Sequence, residues 1–368
     1  MKNILIAILL VSFLQHAVAQ STLQPGFNGK EYLTLLQLIE RQTYDKQPTG
    51  NFKTPNPDGY TKIAASPAGP LDNQWDLWQN ADHTIDVISI RGTTLKTASW
   101  LENFNAAMIP ANGEMQTGIG HAIHYRLAAD SNAYVHMGWT MGMLMLAPGI
   151  VAKIKEEYAK GVHQFIIFGH SQGGAIAFLV RSYLQYLDDP QLPKDIVYKT
   201  YCSAAPKPGN LNYAYDFDFI TRNGWAFRVV NALDWVPETP FSVQTLKDFT
   251  PLNPFKNIKG ALRKQPFFLR LYGNHVCNRI DRSQRKLVRL YKKYLGKMVG
   301  KQVAKIMVTN AMYTTMANSS NYMTAGSPVI LQPTPAYLKK YTDESNIFLH
   351  HLPGPYHFLA EYYYGSGQ

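Results

Sequence analysis

Cysteine is nearly absent from this chain, which has only two cysteines, Cys202 and Cys277, among 368 residues. So few cysteines exclude a disulfide-stapled scaffold and any zinc or iron–sulfur site built from a cysteine cluster. Charged residues are also few, at 17%, while hydrophobic residues reach 46%, and this balance excludes a disordered chain. No metal-ligand motif stands out, and we expect neither a metal nor a cofactor. In an oxidising compartment the two cysteines can pair, but their spacing does not decide whether they do.

The first twenty residues have the composition of a secretory signal peptide. Lys2 supplies a positive start, residues 4–14 are apolar apart from Ser12, and Ala17-Val18-Ala19 is a small-x-small cleavage signal. The apolar stretch is too short to span a bilayer, so a cleaved leader over residues 1–19 is favoured over a signal anchor. We expect a secreted or periplasmic mature chain that begins near Gln20, with no later stretch apolar for long enough to cross a membrane.

Strand and helix patterns alternate along most of the chain. Apolar runs rich in β-branched residues predict strands over 84–91, 164–168, 196–201 and 226–231, and helical periodicity appears over 31–42, 150–158 and 175–186. This alternation is typical of a mostly parallel sheet with helices on both faces. We expect a single α/β domain over residues 20–368, a length that one large domain can fill.

The positive charge is concentrated in one segment, residues 247–305, which we call the basic segment. It holds sixteen Lys and Arg residues against two acids, so it carries +14 and the rest of the chain −3. Apolar residues recur at a helical period over 281–316, and we expect a basic, largely helical insertion over 242–345. One interpretation is a solvated helix face packed on the domain. The other is a surface attracted to anionic lipid or another polyanion. Nucleic acid is not an expected partner of an exported chain.

Gly169-His170-Ser171-Gln172-Gly173 is a G-x-S-x-G pentapeptide, and it lies between a strand pattern and a helix pattern. In such a turn the central serine is held in a strained conformation with its hydroxyl exposed, and side chains two residues before or after would collide with the turn. The helix that follows begins with small residues, which allow a close approach to the sheet. We expect Ser171 to be a nucleophile rather than an inert turn residue.

A serine nucleophile needs a histidine base, and that histidine needs a carboxylate to orient it. Asp234 follows a predicted strand, at the sheet end where ligands bind in α/β proteins. Three histidines, His350, His351 and His357, come late enough in the chain, and their order does not separate them. His275 is a weaker candidate because it lies in the basic segment.

An oxyanion hole requires two backbone or hydroxyl donors aimed at the carbonyl oxygen. The N–H of Gln172 directly follows the serine and is one expected donor. Ile90-Arg91-Gly92-Thr93-Thr94 ends a predicted strand, and a threonine there offers both an N–H and a hydroxyl.

Taken together, these motifs resemble those of the class 3 lipase family. The chain matches its R-G-[ST], V-H-x-G-[FW], G-H-S-x-G-G and N-x-x-D-x-V-P motifs at Arg91–Thr93, Val135–Trp139, Gly169–Gly174 and Asn231–Pro237. The late His351, with Tyr356 five residues on, is similar to the family's last histidine. The resemblance covers roughly residues 60–240 and resumes near the C-terminus.

The resemblance implies an α/β-hydrolase fold and a secreted serine carboxylic-ester hydrolase, a lipase that cleaves acylglycerol esters through an acyl-enzyme. It assigns Ser171 as nucleophile, Asp234 as acid, His351 as base, and Thr93 with Gln172 as oxyanion donors. His350 and His357 remain alternative bases. The role of His136 is implied to be structural.

Other functions stay open at this stage. A feruloyl or other carbohydrate-ester esterase and a phospholipase are possible on the same fold, and so is a non-enzymatic protein that binds a polyanion or a membrane. Residues 100–108 have an amphipathic pattern that fits either a mobile lid or packed core. Acyl length, headgroup and oligomeric state have no signal in the sequence.

Overall fold

The computed structural model describes residues 22–44, 57, 59–117, 122–188, 190, 192–307 and 315–365. The predicted signal peptide over 1–19 and the expected mature start at Gln20 therefore lie outside the described residues.

A seven-stranded sheet forms the centre of the domain. Its strands lie in the order β1-β2-β3-β8-β9-β10-β11, and every pair from β3 to β11 is parallel, while β1 and β2 add an antiparallel edge. The expected mostly parallel sheet is confirmed. The strands are β1 Tyr60–Ala65, β2 Trp75–Asn80, β3 Ile85–Ile90, β8 Gln164–His170, β9 Val197–Ser203, β10 Ala226–Asn231 and β11 Ser327–Leu331.

Two short strand pairs lie outside this sheet. Strand β4 (Met108–Pro110) pairs with β7 (Tyr134–His136), and β5 (Asn112–Gln116) pairs with β6 (Ala122–Arg126), both antiparallel.

Helices cover both faces of the central sheet. The helices are α1 Gly29–Tyr44, α2 Thr97–Phe104, α3 Met137–Ala159, α4 Gln172–Tyr186, α5 Leu211–Ile220, α6 Ile258–Leu262, α7 Phe267–Tyr291, α8 Val299–Met307, α9 Pro335–Lys340 and α10 Pro353–Tyr364. A π-helical stretch, Lys292–Met298, joins α7 to α8, and 3₁₀ turns occur at Val236–Glu238, Pro254–Asn257 and Leu349–His351.

The core follows the alternation of side chains along the strands. In β8, Phe165 and Ile167 pack with α3 and α4 on one face, while Ile166 and Phe168 pack with α1 and α10 on the other. Because successive side chains of a strand point to opposite faces, a strand that is apolar throughout must be covered on both sides. The helix expected over 31–42 is α1, and its apolar face is buried against the sheet.

The segment expected to be an insertion contributes to the sheet as well. Strand β11 pairs with β10 in parallel and lies within 242–345, between α8 and α9, so that segment is not a purely helical insertion. The helix expected over 281–316 begins earlier, at Phe267, and its last described residue is Met307. Residues 308–314 lie outside the description, and Met316 beyond them is not helical.

Helix α3 corrects one sequence-based expectation. By length and composition it could cross a membrane, so the expectation that no later stretch is apolar enough was wrong. Most of this helix is buried inside the domain, and Met137, Met141 and Met143 belong to the core. The methionine-rich run is thus a core helix, and methionine suits such irregular packing.

The two cysteines do not form a disulfide. Cys202 is buried in β9, and Cys277 is partly exposed on α7.

The contact between α4 and β3 depends on Gly173. A Cβ atom at this position would overlap the carbonyl oxygen of Ile90, a backbone atom that cannot rotate away. We expect Gly173→Ala to lower the free energy of unfolding by about 2 kcal/mol or more in urea denaturation. The matched control is Gly260→Ala in α6, where a Cβ meets nothing within 4 Å. This control should be neutral or stabilise by up to about 1 kcal/mol. Equal effects of the two substitutions would contradict the packing argument.

Candidate active site

Ser171 occupies the turn between β8 and α4. Its backbone has φ 61° and ψ −129°, an unusual conformation for a residue with a side chain. The turn is tight enough that a Cβ at Gly169 would overlap the backbone of Gly173. The backbone N–H of Ser171 donates to Ser203 O at 2.9 Å, which fixes the turn to β9. The pentapeptide therefore forms the elbow that its glycines predict.

Asp234 and His351 are in direct contact. His351 Nδ1 lies 2.8 Å from Asp234 Oδ2, and both side chains are buried. The same carboxylate accepts from Tyr356 Oη at 2.7 Å and from the N–H of Val236 at 2.9 Å. Because Nδ1–H donates to the carboxylate, Nε2 is left as the basic nitrogen, which is the tautomer that general-base catalysis on a serine requires.

The other late histidines have different partners. Tyr337 Oη accepts from Asn231 Nδ2 at 2.8 Å, so its proton is available to His350 Nδ1 at 2.7 Å. His357 lies on α10, where burial lowers its pKa. Of the three candidates, the structure brings only His351 to Asp234. His275 is exposed on α7, within the basic segment.

His170 directly precedes Ser171, and its ring makes a hydrogen bond to the backbone of His351. Burial, together with the nearby His351, lowers the pKa of His170 to about 3, so its ring is neutral. Its Nε2 lies 2.7 Å from His351 O, a pure acceptor, so Nε2 carries the proton. Nδ1 then accepts from Ser203 Oγ at 3.0 Å, and Tyr32 Oη donates to that hydroxyl at 2.6 Å. This chain of hydrogen bonds, which the sequence analysis missed, fixes the backbone of the proposed base.

The hydroxyl of Ser171 makes no hydrogen bond to His351 or to any other residue that the structure describes. Resting structures often have long or open contacts here, which tighten when substrate binds. The rings of His170 and His351 are 5.0 Å apart, so the serine and His351 lie at the same end of the sheet. The assigned catalytic roles stay predictions.

The segment with the second expected oxyanion donor lies beside the elbow. A Cβ at Gly92 would lie 3.5 Å from Ser171 Cβ and 2.9 Å from His170 O. The loop is fixed by Arg91, which donates to Gln74 Oε1 at 2.7 Å and to Asp72 O. Although burial acts to raise it, hydrogen bonds from Lys96 and Thr94 and the Arg91 charge lower the pKa of Asp72.

Asn103 joins the two expected oxyanion residues. Its Nδ2 donates to Thr93 Oγ1 at 2.9 Å, and its Oδ1 accepts from Gln172 Nε2 at 2.9 Å. The same Oδ1 accepts from Trp139 Nε1 at 2.9 Å. Because Thr93 Oγ1 accepts from Asn103, the hydroxyl proton of Thr93 is free to point elsewhere. The sequence analysis missed Asn103, since its role requires α2 to approach both strand ends.

His136 makes a hydrogen bond to the backbone of Asn103 and so supports this network. Burial lowers its pKa to about 3, and its neutral ring donates from Nε2 to Asn103 O at 3.1 Å. Nδ1 accepts from the N–H of Trp139 at 3.2 Å and caps α3. Its implied structural role agrees with these contacts.

Apolar side chains form a rim around the site. Trp100 stacks against Phe104 within α2 and also contacts Phe348, three residues before His351. Phe348 packs on Trp235, next to Asp234. Phe104 is 53% exposed, whereas Ala107 and Met108 are buried in the core. The stretch 100–108 is therefore divided: α2 ends at Phe104 and presents the rim, and the residues after it are packed core.

Comparison with known proteins agrees with these features. The profile of the family described as Lipase (class 3) matches residues 87–244. Over these residues the chain is similar to the class 3 lipase family. The secreted mono- and diacylglycerol lipase 1 of Fusarium solani is 28% identical over 156 residues, which are 42% of this chain and 39% of that protein. The chain thus spans well under half of this relative's length.

Solved fungal lipases also overlay on part of the chain. Lipase II from Rhizopus niveus is 18% identical with a TM-score of 0.42, and it covers 58% of this chain and 75% of its own. A triacylglycerol lipase from Penicillium expansum is 17% identical with a TM-score of 0.42 and has the same coverage. Within the class 3 lipase segment lie Thr93, Ser171, Gln172 and Asp234. His351 and the basic segment lie outside it.

Glu102, inside the lipase segment on α2, is a buried acid with one partner. Asn73 Nδ2 donates to its Oε2 at 2.9 Å, while Glu102 Oε1 and Asn73 Oδ1 have no hydrogen-bond partner within the described part of the chain. Both unpaired oxygens approach Gly142. Burial raises the pKa of Glu102 well above that of a free glutamate, so the native side chain is protonated. A proton on Oε1 can satisfy Asn73 Oδ1, which removes both unpaired acceptors at once.

The protonated Glu102 predicts a pH-dependent effect of Glu102→Gln. In the unfolded chain this carboxyl ionises near pH 4.5, whereas the native one stays neutral, so the wild type loses stability as the pH rises above that value. The loss is about 1.4 kcal/mol per pH unit until the native pKa is reached. Glutamine keeps both hydrogen bonds and does not ionise. Urea denaturation should show the variant near wild-type stability at pH 4.5 and clearly more stable at pH 7.5. A difference that is the same at both pH values would contradict a neutral Glu102.

Proposed function

We propose that the protein is a serine carboxylic-ester hydrolase, a lipase that cleaves acylglycerol esters through Ser171, His351 and Asp234. The observation that carries the proposal is the 2.8 Å contact between His351 Nδ1 and Asp234 Oδ2, at the sheet end where the strained Ser171 turn lies. The match of residues 87–244 to the class 3 lipase model supports the same reaction.

In the proposed mechanism, His351 Nε2 removes the proton from Ser171 as its hydroxyl attacks the ester carbonyl carbon. The negative charge that develops on the carbonyl oxygen is stabilised by Thr93 and by the N–H of Gln172. The protonated His351 then donates to the departing alcohol, which leaves an acyl group on Ser171. Water, activated by His351, attacks the acyl-enzyme, and the fatty acid and free serine are released. Asp234 holds the ring and stabilises its positive form.

The apolar rim supports a lipid substrate over a small polar ester. Trp100, Phe104, Trp235 and Phe348 contact one another, and Phe348 also contacts the ring of His351. An apolar rim of this kind favours the binding of acyl chains or of a lipid interface. The mono- and diacylglycerol lipase named above points to the same substrate class. We further propose that the basic segment makes the contact with that interface.

Location and domain organisation belong to the same proposal. A signal peptide over 1–19 would direct the mature chain, from near Gln20, out of the cytoplasm, and the Fusarium solani relative is described as secreted. Residues 20–368 are proposed to act as a single domain, with the helical part of 242–345 as an addition to it.

The first test replaces the nucleophile. Ser171→Ala should lower kcat for p-nitrophenyl butyrate and tributyrin by roughly 10⁴–10⁶-fold, because it removes the attacking hydroxyl. Its thermal unfolding should stay close to wild type. Ser283→Ala on the exposed side of α7 is the matched control and should keep full activity. Retained turnover in Ser171→Ala would refute the assignment, and a preference for feruloyl over acylglycerol esters would move the substrate class to carbohydrate esters.

A second test addresses Asn103, which we propose to be a positioning residue. Asn103→Ala removes the hydrogen bond that turns the Thr93 hydroxyl proton toward the oxyanion. We expect kcat to fall with little change in KM. Thr93→Ala should set the limit, on the order of 10²–10³-fold for one lost oxyanion donor.

The double variant separates positioning from general damage. Because Asn103 is proposed to act through Thr93, Asn103→Ala should add little to the loss already caused by Thr93→Ala. A loss in the double variant equal to the product of the two single losses would show that Asn103 acts independently of Thr93.

A further inference from the structure

Residues 254–291, which we call the basic arm, are exposed or partly exposed along almost their whole length. The arm consists of the 3₁₀ turn Pro254–Asn257, α6 and α7. Within this range only Val288 and Tyr291, at its end, are buried. The interpretation of the basic segment as a helix face packed on the domain therefore does not hold for the arm. Some other surface must account for its composition.

Helix α7 has two distinct faces. Apolar residues recur at intervals of three, four or seven residues and form one stripe along the helix, while arginines and lysines occupy the opposite side. The stripe is exposed: Leu269 is 52%, Tyr272 69% and Ile280 53% accessible. The stripe consists of Leu269, Tyr272, Val276, Ile280, Leu287 and Leu290, and the opposite side includes Arg282, Arg285, Lys286 and Arg289.

The tip of the arm adds further apolar surface. Phe268 is 82% exposed, and Phe255 and Phe267 are 58% and 60% exposed. Several large apolar side chains exposed together in one segment are uncommon on a domain that has no partner. The arm also has ten Lys and Arg residues against one acid, Asp281, for a charge of +9. A partner that matches the arm therefore has both an apolar region, which can bury these side chains, and negative charge.

The arm is joined to the rim of the candidate active site. Tyr291, the last residue of the arm, packs in a cluster with Ala106 and Met108, which follow α2. In the π-helical stretch that comes next, Leu295 O accepts from the N–H of Ala107 at 3.2 Å. Helix α8, which continues from this stretch, packs directly against α2. Helix α2 carries Trp100 and Phe104 of the rim. A surface held by the arm would therefore lie next to the mouth of the site.

We propose that the basic arm docks on an anionic phospholipid surface. The apolar stripe of α7 lies in the headgroup region, and the net charge of the arm attracts it to the negatively charged surface. A soluble polyanion would account for the charge but not for the exposed Leu, Ile and Phe side chains. The purpose of the contact rests on the proposed function, because docking presents the site to lipid esters, but the binding itself does not require catalysis.

Vesicle sedimentation tests the proposal. The purified protein should bind phosphatidylcholine vesicles that contain phosphatidylglycerol far better than pure phosphatidylcholine vesicles, and binding should weaken at high ionic strength. The triple variant Lys259→Glu, Lys264→Glu and Arg282→Glu should lower the partition coefficient at least tenfold. The matched control changes three exposed lysines outside the arm, Lys30→Glu, Lys194→Glu and Lys339→Glu, and should bind like wild type.

The apolar stripe needs its own variant. Phe268→Ala with Tyr272→Ala leaves the charge unchanged and removes two of the most exposed rings of the arm, so binding to anionic vesicles should fall several-fold. These positions are exposed, and circular dichroism and thermal unfolding should show folded protein in each case. If the arm variants bind like wild type, or if lysines outside the arm matter as much, the proposal is overturned. Binding to heparin but not to vesicles would assign the arm to a polysaccharide, and dimerisation without vesicle binding would assign it to a second copy.

Failure of the proposed function would look different. The inactive Ser171→Ala protein should bind anionic vesicles as well as wild type. The triple arm variant should hydrolyse soluble p-nitrophenyl acetate at the wild-type rate but lose activity on anionic emulsions. A protein without esterase activity that still shows arm-dependent binding would refute the lipase and leave the docking surface. Full esterase activity with no vesicle binding would refute the docking surface and leave the proposed hydrolase.

Discussion

The contact between Asp234 and His351 is the interaction on which the rest of the site depends. It joins the end of β10 to the C-terminal part of the chain across 117 positions, and it is buried on both sides. A buried carboxylate without partners would be costly, and here three donors meet it: the His351 ring, Tyr356 and the N–H of Val236. The same contacts leave the far nitrogen of the ring basic. The hydrogen bond from His351 thus helps to satisfy the buried Asp234 carboxylate and, at the same time, fixes the orientation of the His351 ring.

The neighbouring histidines show how burial keeps the surroundings of that ring uncharged. His170 and His136 each have a pKa lowered to about 3, and each uses its protonated nitrogen to donate to a backbone carbonyl. Neither can compete as a base near neutral pH. Their effect is positional: one fixes the backbone of His351, and the other fixes the backbone of Asn103. The ring of His351, by contrast, makes its hydrogen bond to a carboxylate, whereas the ring of His350 makes its hydrogen bond to Tyr337.

Local steric requirements explain what could be predicted from the sequence. The Ser171 turn, the strand before it and the position of Asp234 after β10 follow from short motifs, because the turn needs glycines at fixed offsets and the strands need continuous apolar runs. The choice among His350, His351 and His357 could not be derived from spacing, because it depends on how one 3₁₀ turn faces Asp234. Only family resemblance separated them.

Long-range features were harder to find in the sequence. The bridge made by Asn103 requires α2, β3 and α4 to meet, and no local pattern indicates that approach. Strand β11 is short, contains proline at its second position and follows a strongly basic region, so it has little strand signal of its own. The helical period of α7 was recognisable, but periodicity shows only that a helix has an apolar stripe. Whether the stripe faces the domain or the solvent depends on tertiary packing.

Helix α2 lies between the two proposed activities of the molecule. One side of it presents Asn103 and Ser99 to Thr93 and Gln172, another carries Trp100 and Phe104 of the rim, and α8 at the base of the basic arm packs against it. Its interior contact is the neutral Glu102, held by a single hydrogen bond from Asn73. Hydrogen bonds that Ser99 and Asn103 make with residues outside the helix hold it in place. The base of the arm and the expected oxyanion residues are thus in contact with the same short helix, so the proposed docking surface and the candidate active site share one structural support.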